Sequence, residues 1–323
     1  MSNKPESTAA GTSASRATIR IGDPAEWEDL ARRNAKFVGR MPSLVSATKI
    51  AFERSAPTDQ PLDKLIFCSG RLRTEDFFEI LLLCANGYGF GGIKLLRGMY
   101  EKLVTAAYLR THPEETDTFL NFFGVAGYRL LKVLVDNFGS EGEWAEEWKA
   151  AQTQFEKLKG DYQVPHCEHC PKTRANYTWS KMDPVAMANK SGIDALARLA
   201  FDSYAIPTQY GHSTVMAILP RRSVTEDGTV FEGGAQREWA DRALFRAHYM
   251  LLYNAGVASR SLWSSWFERI RRGCQFRLRL YLGAIREPAE RGIKSSVRCH
   301  QVQTVVGEDR SLFPASMHRL RLP

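Results

Sequence analysis

Residues 92–110 constrain the fold more than any other stretch of this chain. Written at helical pitch, Ile93, Leu95, Leu96, Met99, Leu103, Val104, Ala106, Ala107 and Leu109 cover most of the surface of one helix. A helix that is apolar nearly all round has to be enclosed by other elements. Lys94, Arg97, Glu101, Thr105 and Tyr108 recur at spacings of three and four, so they share one narrow polar stripe. A buried charge is costly unless it is paired. The stripe therefore either meets solvent or lines a polar pocket.

The apolar periodicity around this helix is also helical. Asp23 caps and Pro24 opens a first helix, and Pro42 interrupts before a second over residues 44–52. Residues 56–61 read as a linker. Leu62 to Cys68 forms a short apolar segment ended by Ser69-Gly70, and Thr74 caps a helix over 75–85. The glycines at 87, 89, 91 and 92 lack both a P-loop Lys-Ser/Thr and a preceding strand. They predict a flexible loop that brings two apolar helices close together. Helices follow over 114–138 and 143–159, and residues 160–182 are irregular. A helical region runs from Asp183-Pro184 to Tyr204 with a break at Ser191-Gly192, and Pro207 separates it from a segment over 209–219. Residues 221–232 alternate around Asp227-Gly228 as a small β-hairpin. The last helix, 236–270, carries a stripe of Ala240, Leu244, Ala247, Leu251, Ala255, Ala258, Leu262 and Trp266. The predicted class is all-α, a multi-helix bundle of about eight to ten helices with one small β-hairpin. The predicted layout is a disordered tail over 1–20, a bundle domain over 21–270 and a basic, irregular tail over 271–323.

Charge is unevenly placed. Residues 1–268 hold 32 Lys+Arg against 32 Asp+Glu, whereas residues 269–323 hold 12 against 4, so the whole net charge of +8 lies in the tail. Such a tail would hold nucleic acid nonspecifically, through charge alone. The first sixteen residues lack the apolar core of a signal peptide. No window approaches the roughly 18 uninterrupted apolar residues of a membrane span, so a cytoplasmic location without a membrane partner is expected. No cofactor is implied, and homodimer formation stays open.

Three constellations carry chemistry. The first joins Arg97 and Glu101 to the polar segment 202–213, which contains Tyr204, His212 and Ser213. A histidine near a buried carboxylate is tunable as acid, base or ligand, and an arginine beside it holds an anionic group. Glu101 and His212 are the candidate catalytic pair, and Arg97, Tyr204 and Ser213 the candidate ligand contacts. Arg97 and Glu101 are expected to be largely buried. The bland alternative is a polar network locking two helices in register. The second constellation is Cys167 and Cys170 with neighbouring histidines, half of a tetrahedral zinc site. No second cysteine pair follows it, so stoichiometric zinc is not expected. The third is Arg242 and His248 on the last helix, six residues apart. An ideal helix puts those positions about 120° apart.

The pattern Gly92, Leu95, Leu96, Arg97, Glu101, Ala107, Tyr108 and Leu109, followed a hundred residues later by Asp202, Tyr204, Gly211, His212 and Ser213, resembles a family of bacterial helical proteins. That family carries only a domain-of-unknown-function label. The resemblance spans residues 70–265 and implies an all-α fold with the activity open. A ligand-binding or regulatory role for the Arg/Glu/His pocket is the first expectation. Arg242 and His248 also resemble the Arg-x(4–6)-His pattern of HEPN ribonucleases. That likeness implies metal-independent RNA cleavage in a toxin or phage-defence setting, with the pair activating the ribose hydroxyl.

Overall fold

The computed structural model describes residues 22–52, 59–142, 144–167, 169, 171–212, 214–225, 228–231 and 233–261. Both predicted tails, 1–20 and 271–323, lie outside the described residues. Over the described residues the fold is all-α with two small two-stranded sheets.

Its centre is α5 (Gly89–Thr111), flanked by α4 (Pro61–Ala85) and α12 (Arg237–Ser261). Ile66, Phe77 and Ile80 of α4 meet Ile93, Leu96, Met99 and Leu103 of α5, all essentially inaccessible. On α12 the inward positions are small: Ala240, Ala243 and Ala247 alternate with Leu244, Met250 and Leu251. Small side chains let two helix backbones approach closely, and glycines do so further. A Cβ on Gly89 would stand 2.4 Å from the Gln236 carbonyl oxygen and 2.5 Å from the Ala240 nitrogen.

The turn between α4 and α5 is tighter than the glycine run predicts. Residues 86–88 suffice for it, because Gly87 takes the left-handed conformation at φ 79° that glycine adopts without steric cost. The Gly87 carbonyl then accepts the Gln236 N–H at 2.9 Å, which fixes the start of α12. The remaining glycines form the first turn of α5 rather than a loop.

The predicted break at Ser69-Gly70 is absent, and α4 runs unbroken for 25 residues. Gly70 is instead a contact point: a Cβ there would lie 2.1 Å from the Phe52 ring. Its carbonyl accepts the Asn254 Nδ2 proton at 3.0 Å, and Ser69 Oγ accepts from Arg73 at 2.7 Å. Packing and side-chain partners hold the helix through residues of poor intrinsic propensity.

Ahead of this core, α1 (Pro24–Arg33) is capped by Asp23, and α2 (Ala35–Val38) and α3 (Met41–Phe52) follow. Pro42 does not interrupt α3, because it falls in the first turn, where its missing N–H has no intrahelical partner to lose. After a short 3₁₀ turn, α6 (Thr116–Phe138) packs on α7 (Ala145–Leu158) as a helical hairpin. Tyr128 stacks on Trp148 and Phe155 at that seam. The other face of α6 leaves Phe123, Leu130, Val133 and Phe138 exposed. An 18-residue window within 113–138 has a mean hydropathy of 1.3 and is 11% buried, so this helix is long and apolar enough to cross a membrane. The stretch 160–182 is not wholly irregular: β1 (Gln163–Pro165) pairs antiparallel with β2 (Thr173–Ala175).

The chain returns to α5 through α8 (Pro184–Lys190), capped by Asp183, and α9 (Asp194–Ala200). A π-helical turn over Phe201–Ala205 leads into α10 (Ile206–Gly211). Then come α11 (Val215–Ile218) and the expected hairpin, β3 (Arg222–Thr225) with β4 (Gly228–Phe231).

Candidate functional site

Pro207 does not separate two segments; it shapes the one that carries the site. Proline has no N–H for the residue 203 carbonyl, and its ring crowds that carbonyl. The helix widens in response: the Ile206 N–H bonds the Phe201 carbonyl five residues back. Such π-turns are rare and recur at functional sites. Here the turn buries Ser203 completely and sends its two flanking polar residues to different helices. Tyr204 faces α5, and Asp202 faces α12.

Toward α5, Arg97 is gripped on several sides. Its Nε donates to Glu101 Oε1 at 2.8 Å, one helical turn along. Its Cζ lies 5.4 Å from the centre of the Tyr204 ring, a cation–π distance. Its Nη1 lies 3.1 Å from His212 Nε2, just past the end of α10. The turn presenting His212 is held by Thr214, whose Oγ1 donates to the Gln209 carbonyl at 2.7 Å. A guanidinium has only donors, so this contact requires the lone pair of Nε2. In that contact Nε2 is the acceptor, which leaves the ring proton to Nδ1. The bond to Glu101 raises the pKa of Arg97 above its ordinary value, and burial opposes that. Burial raises the Tyr204 hydroxyl, against the pull of Arg97, so it stays a protonated donor at neutral pH.

The structure thus brings together Arg97, Glu101, Tyr204 and His212, residues more than a hundred positions apart. Ser213 lies outside the described residues. The expectation that Arg97 and Glu101 are largely buried is not met. Their side chains are 35% and 37% exposed, and His212 is exposed, so the cluster opens on solvent. The apolar faces of α5 are covered by α4, α12 and α10, and the polar stripe emerges between them. Tyr108 leaves the stripe altogether: it is buried, stacks on His112 and donates to Glu115 Oε1 at 2.6 Å.

Toward α12, Asp202 accepts from Arg242 Nη2 at 3.0 Å and from Arg246 Nη2. This ion triad is a site feature that sequence periodicity missed. The only trace of it in the sequence is two arginines four apart on one helix, with no sign of where their carboxylate lies. Arg242 and His248 are not brought together. Arg242 bonds Asp202 and covers the Trp239 ring, while His248 is buried edge-on against Phe37 at 5.3 Å. Burial lowers the His248 pKa to about 4, so its ring is neutral at physiological pH. Cys167 is exposed, and Cys170 lies outside the described residues. Among the described residues no three His, Cys, Asp or Glu side chains are placed to hold one metal ion.

Residues 75–229 match the model of a family of unknown function, DUF5677. This bears out the resemblance to a helical family of that standing over a narrower span than 70–265. The matched segment contains the whole Arg97 cluster and Asp202 and excludes α1–α3 and α12. No curated protein and no solved structure matches the chain, and nothing in the comparisons supports the HEPN likeness.

Proposed function

We propose that the Arg97 cluster binds the oxyanion of a small ligand, a carboxylate or phosphate, and that the protein is a ligand-binding or regulatory helical bundle. The observation carrying this reading is the meeting of Arg97 with Nε2 of an exposed His212 just past the end of another helix. Glu101 and Tyr204 fix the guanidinium from one end and one face, so little side-chain freedom is left to lose on binding. His212 is the replaceable partner. An oxyanion offers the guanidinium two charge-assisted bonds in place of one neutral acceptor, and such forked pairs are the stronger ones. Once displaced, His212 can protonate and donate to the same anion.

Calorimetric titration of the full chain with inorganic phosphate and with succinate tests this. Saturable binding of at least one of them, abolished in Arg97→Ala, supports the site. If neither binds, the cluster is only a tie between α5 and α10. Equal binding by Arg97→Ala would move the site elsewhere.

A further inference from the structure

A second site lies on the opposite side of α12, outside the family-matched segment. Where the α1–α2 junction meets α12 there is a cavity of about 420 Å³. Its volume falls in the range of small-molecule pockets, about 300–1,000 Å³. Its inner wall is aromatic. His248 is 4% exposed and meets Phe37 edge-on, with ring centres 5.3 Å apart and planes at 67°. Phe245 stands at the mouth, 49% exposed, edge-on to Tyr249. Phe37, Phe245 and His248 thus give the cavity an aromatic lining, against which an aromatic guest can pack edge to face.

The mouth is cationic. Arg33 donates from Nε to Asp29 at 2.7 Å and from Nη1 to Asp241. Asp241 also accepts the Asn34 amide at 2.9 Å. Arg32 and Arg237 share Asp29, and Arg237 also pairs with Glu26. Of the residues lining the cavity, Arg32, Arg33 and Lys36 are cationic and Asp241 is acidic, and both arginines are already paired with carboxylates. The surplus charge sits on Lys36, which is exposed at the cavity edge with no carboxylate partner among the described residues. Asp241, the carboxylate in the lining, is already committed to Arg33 and Asn34, so an incoming anion meets no unpaired carboxylate among the lining residues. The buried ring at the back carries no charge at neutral pH to oppose an apolar guest.

We propose that this cavity binds a flat aromatic molecule bearing one oxyanion, its ring packed against the lining rings of Phe37, Phe245 and His248 and its charge at Lys36. The experiment is calorimetric titration of the full chain with naphthoate, with its uncharged analogue naphthalenemethanol, and with adenosine monophosphate. Naphthoate is expected to bind one per chain, at least tenfold tighter than the alcohol. Lys36→Glu should weaken naphthoate at least tenfold and leave the alcohol unchanged. Ala35→Trp, on the cavity wall, should abolish both, with the helical circular dichroism of each variant unchanged. Arg97→Ala should bind naphthoate as the parent does, which keeps this site distinct from the Arg97 cluster. Tighter binding of the nucleotide than of naphthoate, lost in the same two variants, supports the site and assigns its occupant as a nucleotide. The proposal is overturned if neither anion saturates, if the alcohol binds as tightly as naphthoate, or if Lys36→Glu and Ala35→Trp change nothing.

Discussion

Asn254→Leu should be among the most damaging single substitutions in this chain, and Arg73→Met should rescue it. Arg73 is inaccessible at the crossing of α4, α5 and α12. Its Nε and Nη2 donate to Asn254 Oδ1 at 2.8 and 2.5 Å. Its Nη1 donates to Ser69 Oγ at 2.7 Å and to the Lys102 carbonyl at 2.6 Å. Burial pulls its pKa down to about 9, and Asp76 opposes that, so the group still carries its charge at neutral pH. Removing Asn254 strands two charged N–H groups in the core and takes the donor from the Gly70 carbonyl. Breaking a buried charge pairing costs roughly 3–5 kcal/mol, which is a large part of a typical domain's stability of about 5–15 kcal/mol. Arg73→Met/Asn254→Leu replaces both partners with apolar groups of similar size, a change that is often nearly neutral. The double variant should therefore lie closer to the parent than Asn254→Leu does, with a coupling energy of about 2–3 kcal/mol in a double-mutant cycle. Urea denaturation of the parent, both single variants and the double provides the cycle. Additive effects, or an Asn254→Leu cost under about 1 kcal/mol, would refute the account of this buried arginine.

Glu101→Ala should cost less than about 1 kcal/mol, because an ion pair exposed by about a third on each side is screened by water; thermal denaturation measures it, and a loss of several kcal/mol would mean the pair is shielded. Gly89→Ala should destabilise by roughly 1–3 kcal/mol, as overpacking does, since the new methyl meets the backbone of residues 236–240 rather than a yielding side chain; an unchanged melting temperature contradicts that contact. His248 should make stability fall with acid. Its folded pKa, about 4, lies below the unfolded value of 6.5, so the unfolded chain takes up the proton first and stability is lost as pH drops between those values. At about 1.4 kcal/mol per pH unit this approaches 3 kcal/mol, read as the difference in urea midpoints between the parent and His248→Phe at pH 7.5 and pH 4.5. Parallel pH profiles for the two proteins would show that burial does not hold this ring neutral.

Much of the fold is legible in the sequence because apolar spacing reports which face a helix buries. The enclosed helix at 92–110, the caps at Asp23 and Asp183 and the hairpin at 221–232 all follow from local chemistry. Ser69-Gly70 and Pro207 mislead for one shared reason: each reads as punctuation locally, and each is used by a distant partner. Gly70 clears space for Phe52, and Pro207 opens the π-turn that aims Asp202 and Tyr204. The Arg97 cluster was half legible. The polar stripe on an apolar helix marks Arg97 and Glu101, and the crowded polar segment marks Tyr204 and His212. Their exposure is not written in either stretch, because it depends on how far α4, α10 and α12 spread around α5. The Asp202 triad and the cavity behind α12 are purely tertiary, assembled from residues whose own neighbourhoods look like ordinary solvated helix faces.

The most direct test of the Arg97 site is nitrogen NMR of the His212 side chain at neutral pH, free and with phosphate or succinate. The account predicts an imidazole protonated on Nδ1 alone in the free protein, with Nε2 accepting from Arg97. Saturation with at least one of the two anions should then move both nitrogen resonances, an effect missing in Arg97→Ala. A free-state ring protonated on Nε2, or resonances unmoved by both anions, would contradict it.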